Sequence, residues 1–217
     1  QVDAYLNGKM GKYDFFSVMR TPLVLQICSP EVKALPMLMT QSVMTKIIKK
    51  HNLSPDMIKQ LPRNIDDPIL VLKSATREDS IVAMLELQNH NGENIVVPVS
   101  LNVSQKDNSG KIIYFNDITS MYGKGNEITK TPNYRWFVDQ ASAPGRLLYL
   151  NQKKSSQWLS LPGLQLPGGQ STERLIESLV QNRNEVKGNA VRMKTEKDLA
   201  VARGTYAVHR YSPLSDI

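Results

Sequence analysis

The dipeptide Asn91-Gly92 constrains this chain more than any other feature, because it separates two runs of apolar and β-branched residues. Asn-Gly accepts successive left-handed backbone conformations at little steric cost, and the resulting turn matches the right-handed twist of its flanking strands. Ser80 to Leu87 and Ile95 to Val103 are therefore expected to pair as a hairpin. Pro98 interrupts the return strand and has no N–H to give a ladder, so it predicts an edge position or a bulge. Ile69-Leu70-Val71-Leu72 reads as a buried strand before the hairpin. Asn108-Ser109-Gly110 marks a turn before Ile112-Ile113-Tyr114-Phe115. Four strands in meander order give an antiparallel sheet.

Helical spacing flanks this β-rich middle. Between Thr40 and His51, Val43, Met44, Ile47 and Ile48 form one stripe, with Lys46, Lys49 and Lys50 outside it. Thr40 is the expected N-cap, and lysines crowd the end where the dipole favours them. Ser54-Pro55-Asp56 opens a second short helix, which Pro62 is expected to stop. Thr131-Pro132 opens a helix carrying Trp136, Phe137 and Val138, and Leu147 to Leu150 reads as a fifth strand. Beyond it come a short helix from Lys153 to Leu159, a closing strand at Leu164 to Pro167, a helix from Ser171 to Gln181 and a candidate strand from Thr205 to Val208. The expected class is α+β, with N-terminal helices packed on an antiparallel meander of about four to six strands. Residues 1–21 read as a lead-in, 22–168 as the main domain, and 169–217 as a helix plus a weakly patterned tail.

Composition narrows the function classes. At 41% hydrophobic and 22% charged residues, the 217-residue chain can bury a core. No apolar run approaches the ~20 residues of a membrane-spanning helix, and the polar stretch from Gln1 carries no secretory signal. The net charge of +7 suits an anionic partner such as RNA. Residues 171–217 hold eight basic and six acidic side chains, so +5 belongs to the rest of the chain. Cys28 is the one cysteine and sits in an apolar stretch, where a buried inert thiol is expected rather than a disulfide or nucleophile. His51, His90 and His209 are far apart, so no metal site and no cofactor are expected.

An ordered set of short motifs carries a resemblance. It runs from Thr40-Gln41, His51, Leu53-Ser54 and Leu61-Pro62 through Asp67-Pro68-Ile69, Lys73-Ser74, Glu86-Leu87 and Val97-Pro98-Val99. It continues with Asn116-Asp117-Ile118, Ser120-Met121-Tyr122-Gly123-Lys124, Leu147 to Asn151, Trp158 and Gly163 to Pro167. This set, from about Pro22 to Pro167, resembles the MuF C-terminal domain of phage and prophage proteins. The resemblance implies a small fold akin to the barnase, EndoU, colicin and RelE group (BECR-like), and with it metal-independent RNA cleavage by a toxin or effector module. It further implies a larger polyprotein of a phage or mobile element, cytoplasmic action, and delivery with a phage particle or by secretion.

Such cleavage needs a base for the ribose 2′-OH, an acid for the departing 5′-oxygen, and donors or cations for the charged phosphorane. His51 is the first candidate base or acid, and it reads equally as a histidine closing a helix C-terminus. Ser120, Tyr122 and Lys124 are the other catalytic candidates, bunched after an apolar strand, with Asp117 available to orient a histidine. The same segment also reads as a plain strand end with Tyr122 packed inward. Lys73, Ser74, Asn116, Arg135 and Tyr149 are candidate substrate contacts through phosphate, polar or stacking interactions. His90 reads as an exposed hairpin residue. A non-catalytic nucleic-acid- or protein-binding module is the competing function; ADP-ribosyl transfer finds no nicotinamide-binding signature. RNA is the expected partner, and an acidic immunity protein would complement the basic surface.

Overall fold

Two periodicities in the sequence become two layers around one mixed sheet. The computed structural model describes residues 1–11, 14–107, 109–125, 134–151 and 153–155, all within the unit Gln1–Thr172. The helix expected from Lys153 to Leu159 is described, as helix, only at 153–155, and the elements expected at 164–167, 171–181 and 205–208, with Trp158 and Gln165, lie outside the described residues. In chain order the elements are α1 (Val2–Leu6), β1 (Phe15–Arg20), α2 (Leu23–Cys28), β2 (Pro36–Thr40), α3 (Gln41–Lys49), α4 (Pro55–Lys59) and α5 (Leu61–Ile65). There follow β3 (Leu70–Lys73), β4 (Ser80–Gln88), β5 (Asn94–Lys106), β6 (Ile112–Ile118), β7 (Tyr122–Gly123), α6 (Tyr134–Ser142) and β8 (Leu147–Leu150).

The α+β class is as expected, and the sheet is larger. Its order is β1-β2-β6-β5-β4-β3-β8, with β7 continuing beside β5. The predicted meander β3-β4-β5-β6 forms its centre, and Gly92 turns the β4–β5 hairpin at φ +72°. Every described pairing is antiparallel except β2 with β6, which run parallel through Met37↔Asn116 and Leu38↔Asp117. A parallel contact of two residue pairs leaves no local pattern, so the strands from the first 40 residues were not legible as sheet. The lead-in contributes to the fold: Phe16 of β1 is buried, Tyr5 Oη lies 2.6 Å from Thr45 Oγ1, and Asp3 pairs with Lys59 at 2.7 Å.

Strand side chains alternate, so each face of the sheet has its own core. Val71, Ala83, Val97, Val99 and Ile118 pack against Leu25, Met44, Ile47, Ile58 and Ile65 of the N-terminal helices. Leu70, Leu72, Met84, Val96 and Leu150 pack on the opposite side with Phe137 and Ala141 of α6. Cys28 is buried, and that burial pushes its thiol far above the ordinary range, which leaves it inert.

The helix signals at Thr40, Ser54 and Pro62 held, and the opening at Thr131-Pro132 lies outside the described residues. Thr40 Oγ1 accepts the Val43 N–H at 3.3 Å, and Ser54 Oγ accepts that of Met57 at 3.3 Å, satisfying donors that the helices cannot. α4 ends at Lys59, ahead of Pro62 as expected, and Pro62 itself sits in the first turn of α5, where a missing N–H costs no helical bond. After α3, Asn52 adopts φ +52°, and the N–H of the buried Leu53 returns to the Ile47 carbonyl at 3.2 Å. This reversal fixes His51 at the end of α3.

Ile47 anchors that end with no exposed surface. Ile47→Ala is expected to lower the unfolding free energy by about 2–5 kcal/mol in urea denaturation. Lys49→Ala, on the exposed side, should change it by less than ~0.5 kcal/mol.

Candidate active site

Pro98 starts the chain of causes that builds the site. It is not on an edge: β5 lies between β4 and β6, and Pro98 faces Val82. On its other side the Thr119 N–H donates to the Pro98 carbonyl at 3.1 Å, one half of an antiparallel pair. The reciprocal bond cannot form because proline has no N–H. The Thr119 carbonyl instead accepts from Lys46 Nζ of α3 at 2.8 Å. The partner strand breaks here. Register changes by one residue between Val99↔Ile118 and Val96↔Tyr122, which leaves Thr119, Ser120 and Met121 opposite Val97 and Pro98. The bulge expected at Pro98 thus forms on the neighbouring strand.

The break presents Ser120 to the end of α3. Ser120 Oγ and His51 Nε2 stand 3.3 Å apart, and the His51 and Tyr122 rings lie 5.3 Å apart between centroids, inclined by 32°. Tyr122 resumes the strand and packs with the α6-side core, while Met121 is buried on the helix side. Lys124 Nζ lies 4.5 Å from the centroid of the Trp136 ring, a cation–π contact that fixes its charge beside α6.

Electrostatics divides the protons. Burial holds the His51 imidazole below its ordinary pKa, reinforced by the charges of Lys46 and Lys50, so the neutral ring is favoured at neutral pH. Burial pushes the Tyr122 phenol upward, so it keeps its proton. A neutral imidazole beside a hydroxyl and a protonated phenol can accept one proton and donate another.

Of the four catalytic candidates, His51, Ser120 and Tyr122 converge, and Lys124 lies two residues beyond Tyr122, just past the end of β7. The substrate-contact candidates are scattered. Asn116 has no exposed surface: its Nδ2 donates to Thr21 Oγ1 and the Lys33 carbonyl, and its Oδ1 accepts the Asn102 N–H at 2.9 Å. It supports the β5 bulge, where Asn102 has φ +54°, and is not available to a ligand. Tyr149 is buried in the helix-side core, so it offers no stacking surface. Lys73 pairs with Glu31 at 3.8 Å, three strands from β6, and Ser74 Oγ accepts the N–H groups of Thr76 and Arg77 within a turn. Arg135 pairs with Asp139 at 3.9 Å on the exposed side of α6. The histidine is met by Ser120, not by Asp117. Asp117 lies opposite Ser100, with one carboxylate oxygen buried without a hydrogen bond and its pKa raised by burial. His90 is exposed at the hairpin, as expected.

Lys46, bonded beside the candidate site, was not among the sequence candidates. The signal was in the sequence: a proline inside a strand leaves one carbonyl on its neighbour in need of a donor. A cavity of about 210 Å³ lies elsewhere, lined by Val2, Phe16, Met39, Met44 and Ile58 among others, and it does not include His51. Among the described residues no group of three or more His, Cys, Asp or Glu could hold a metal ion, and no helix is long and apolar enough to cross a membrane.

A family model described as the phage MuF C-terminal domain matches residues 42–157, more than half of the chain. The match is narrower than the span from Pro22 to Pro167 and still contains His51, Ser120, Tyr122 and Lys124. No curated protein and no solved structure matches.

Two measurements follow from this geometry. The His51 pKa, read by NMR titration of its ring protons, is expected below the model-peptide value of ~6.5, and Lys50→Gln should raise it. Because the unfolded chain binds this proton more readily, the His51 contribution to stability is complete above pH ~6.5 and declines as pH falls towards the folded-state pKa. Lys46→Met removes the donor to the Thr119 carbonyl and is expected to destabilise the fold by about 1–3 kcal/mol in denaturant titration.

Proposed function

This chain belongs to the phage MuF C-terminal domain family, and from that membership we propose that it is an effector module of a phage or mobile-element protein that cleaves RNA without a metal. The observation that carries the reading is the convergence of a neutral-favouring His51 with Ser120 and Tyr122 beside the lysines of α3. With one ring nitrogen of His51 bonded to Ser120, the other is left to accept the proton of a ribose 2′-OH. The 2′-oxygen then attacks the adjacent phosphorus, and the bond from phosphorus to the 5′-oxygen breaks. A 2′,3′-cyclic phosphate and a 5′-hydroxyl result, the leaving oxygen taking its proton from Tyr122 or from the imidazolium. Lys46 and Lys124 supply positive charge near the developing phosphorane, where fixed charges lower the barrier most. A net charge of +7 draws a polyanion to the surface, and an acidic immunity protein is the partner that would neutralise it.

Incubation of the full chain with total RNA in the presence of chelator tests this reading, beside His51→Ala. Cleavage should persist with chelator and fall by about 10²–10⁴-fold in the variant. Its acidic limb should titrate below pH ~6.5, with the lowered His51 pKa. Salt-sensitive RNA binding with no product would make the chain a binding module instead.

A further inference from the structure

Glu93 is a buried carboxylate that the reaction scheme does not use, only 7% exposed, at the tip of the β4–β5 hairpin. Asn89 holds it from both ends: Asn89 Nδ2 donates to Glu93 Oε2 at 2.6 Å, and Asn89 Oδ1 accepts the Glu93 N–H at 3.0 Å. The carboxylate lies against the backbone of the strand that carries the site. A Cβ placed on Gly123 would overlap both Asn89 Nδ2 and Glu93 Oε2, and one on Gly125 would overlap Glu93 Oε1. Neither glycine has an unusual backbone angle, so a side chain at either would have to displace the Glu93 carboxylate or the Asn89 amide. Side chains alternate along a strand, so Tyr122 and Lys124 project away from this contact, towards Trp136 and the α6-side core.

From this packing we infer that Glu93, tethered by Asn89, is a positioning residue of the site. It clamps the glycine-flanked strand from one side and so fixes Tyr122 and Lys124 on the other. β7 is paired over two residues only, Ile95↔Gly123 and Val96↔Tyr122, with one further bond from the Lys124 N–H to the Asn94 carbonyl. A strand held so briefly needs a second support, and the clamp occupies the face that the glycines leave open. The inference deepens the proposed RNA cleavage, but its main test needs no substrate.

In the full chain, Glu93→Ala should shift the His51 ring resonances, because the Tyr122 ring beside them moves. Glu93→Gln, which keeps the shape and an acceptor for Asn89, should restore them. Gly125→Ala should lower the melting temperature strongly in the native background and far less when combined with Glu93→Ala. If Glu93→Ala does not fold, Asn89→Ala removes the tether and carries the same readout. Where RNA cleavage is measurable, kcat should drop on the order of tenfold to a hundredfold in Glu93→Ala and return in Glu93→Gln. Unmoved His51 resonances in Glu93→Ala, or an equal cost of Gly125→Ala with and without Glu93, would overturn the clamp. Absence of RNA cleavage by the native chain would overturn the RNase reading and leave the clamp to be judged by the resonances and the melting temperatures.

Discussion

The carbonyl of Thr119 has no strand partner because residue 98 is proline, and Lys46 of α3 fills the gap. The bond is half-buried and adds to the docking of α3, whose Met44 and Ile47 are buried in the core. The bond ties α3 to the point where β6 breaks, and at the end of the same helix His51 meets Ser120 and Tyr122. The same lysine also disfavours a charged imidazole. Lys46 thus contributes to both the placement and the electrostatics of the candidate site, although burial is the larger cause of the His51 shift. A proline that looks like a defect in a central strand places the break at which the polar groups gather.

Two supports act on the strand that follows the break. Trp136 of α6 receives the Lys124 ammonium on one side, and the Asn89–Glu93 pair fills the space above Gly123 and Gly125 on the other. Side chains from α6 and from the β4–β5 hairpin thus add to the short ladder of the two-residue strand β7. The Tyr-Gly-Lys-Gly order follows from this: large or charged side chains face α6, and hydrogen atoms face the carboxylate.

Much of the fold was readable locally. Thr40 and Ser54 announced their caps, the stripe of Met44 and Ile47 announced the buried face of α3, and Asn91-Gly92 announced the hairpin. Pro62 marked the boundary after α4 but not the helix α5 that it opens, because a proline's missing N–H costs nothing in a first turn. The parallel β2–β6 contact was invisible because two residue pairs between distant segments leave no period. Of the candidate site, His51, Ser120 and Tyr122, which the fold brings together, and Lys124 beyond them were visible as residue types suited to proton transfer and charge stabilisation. Asn116 and Tyr149 were misjudged, since a polar or aromatic side chain at a strand position reads alike whether it faces a ligand or the core.

The sequence by itself determined the α+β class, the central meander, the helix caps and the family, because each rests on short-range patterns or on motif order. Tertiary structure alone decided that Pro98 lies inside the sheet and that Lys46 answers its missing N–H. It alone decided that His51 is met by Ser120 and not Asp117, and that Glu93 stands behind the strand opposite the site. These depend on which distant segments share a hydrogen bond or a van der Waals space, and linear spacing does not encode that.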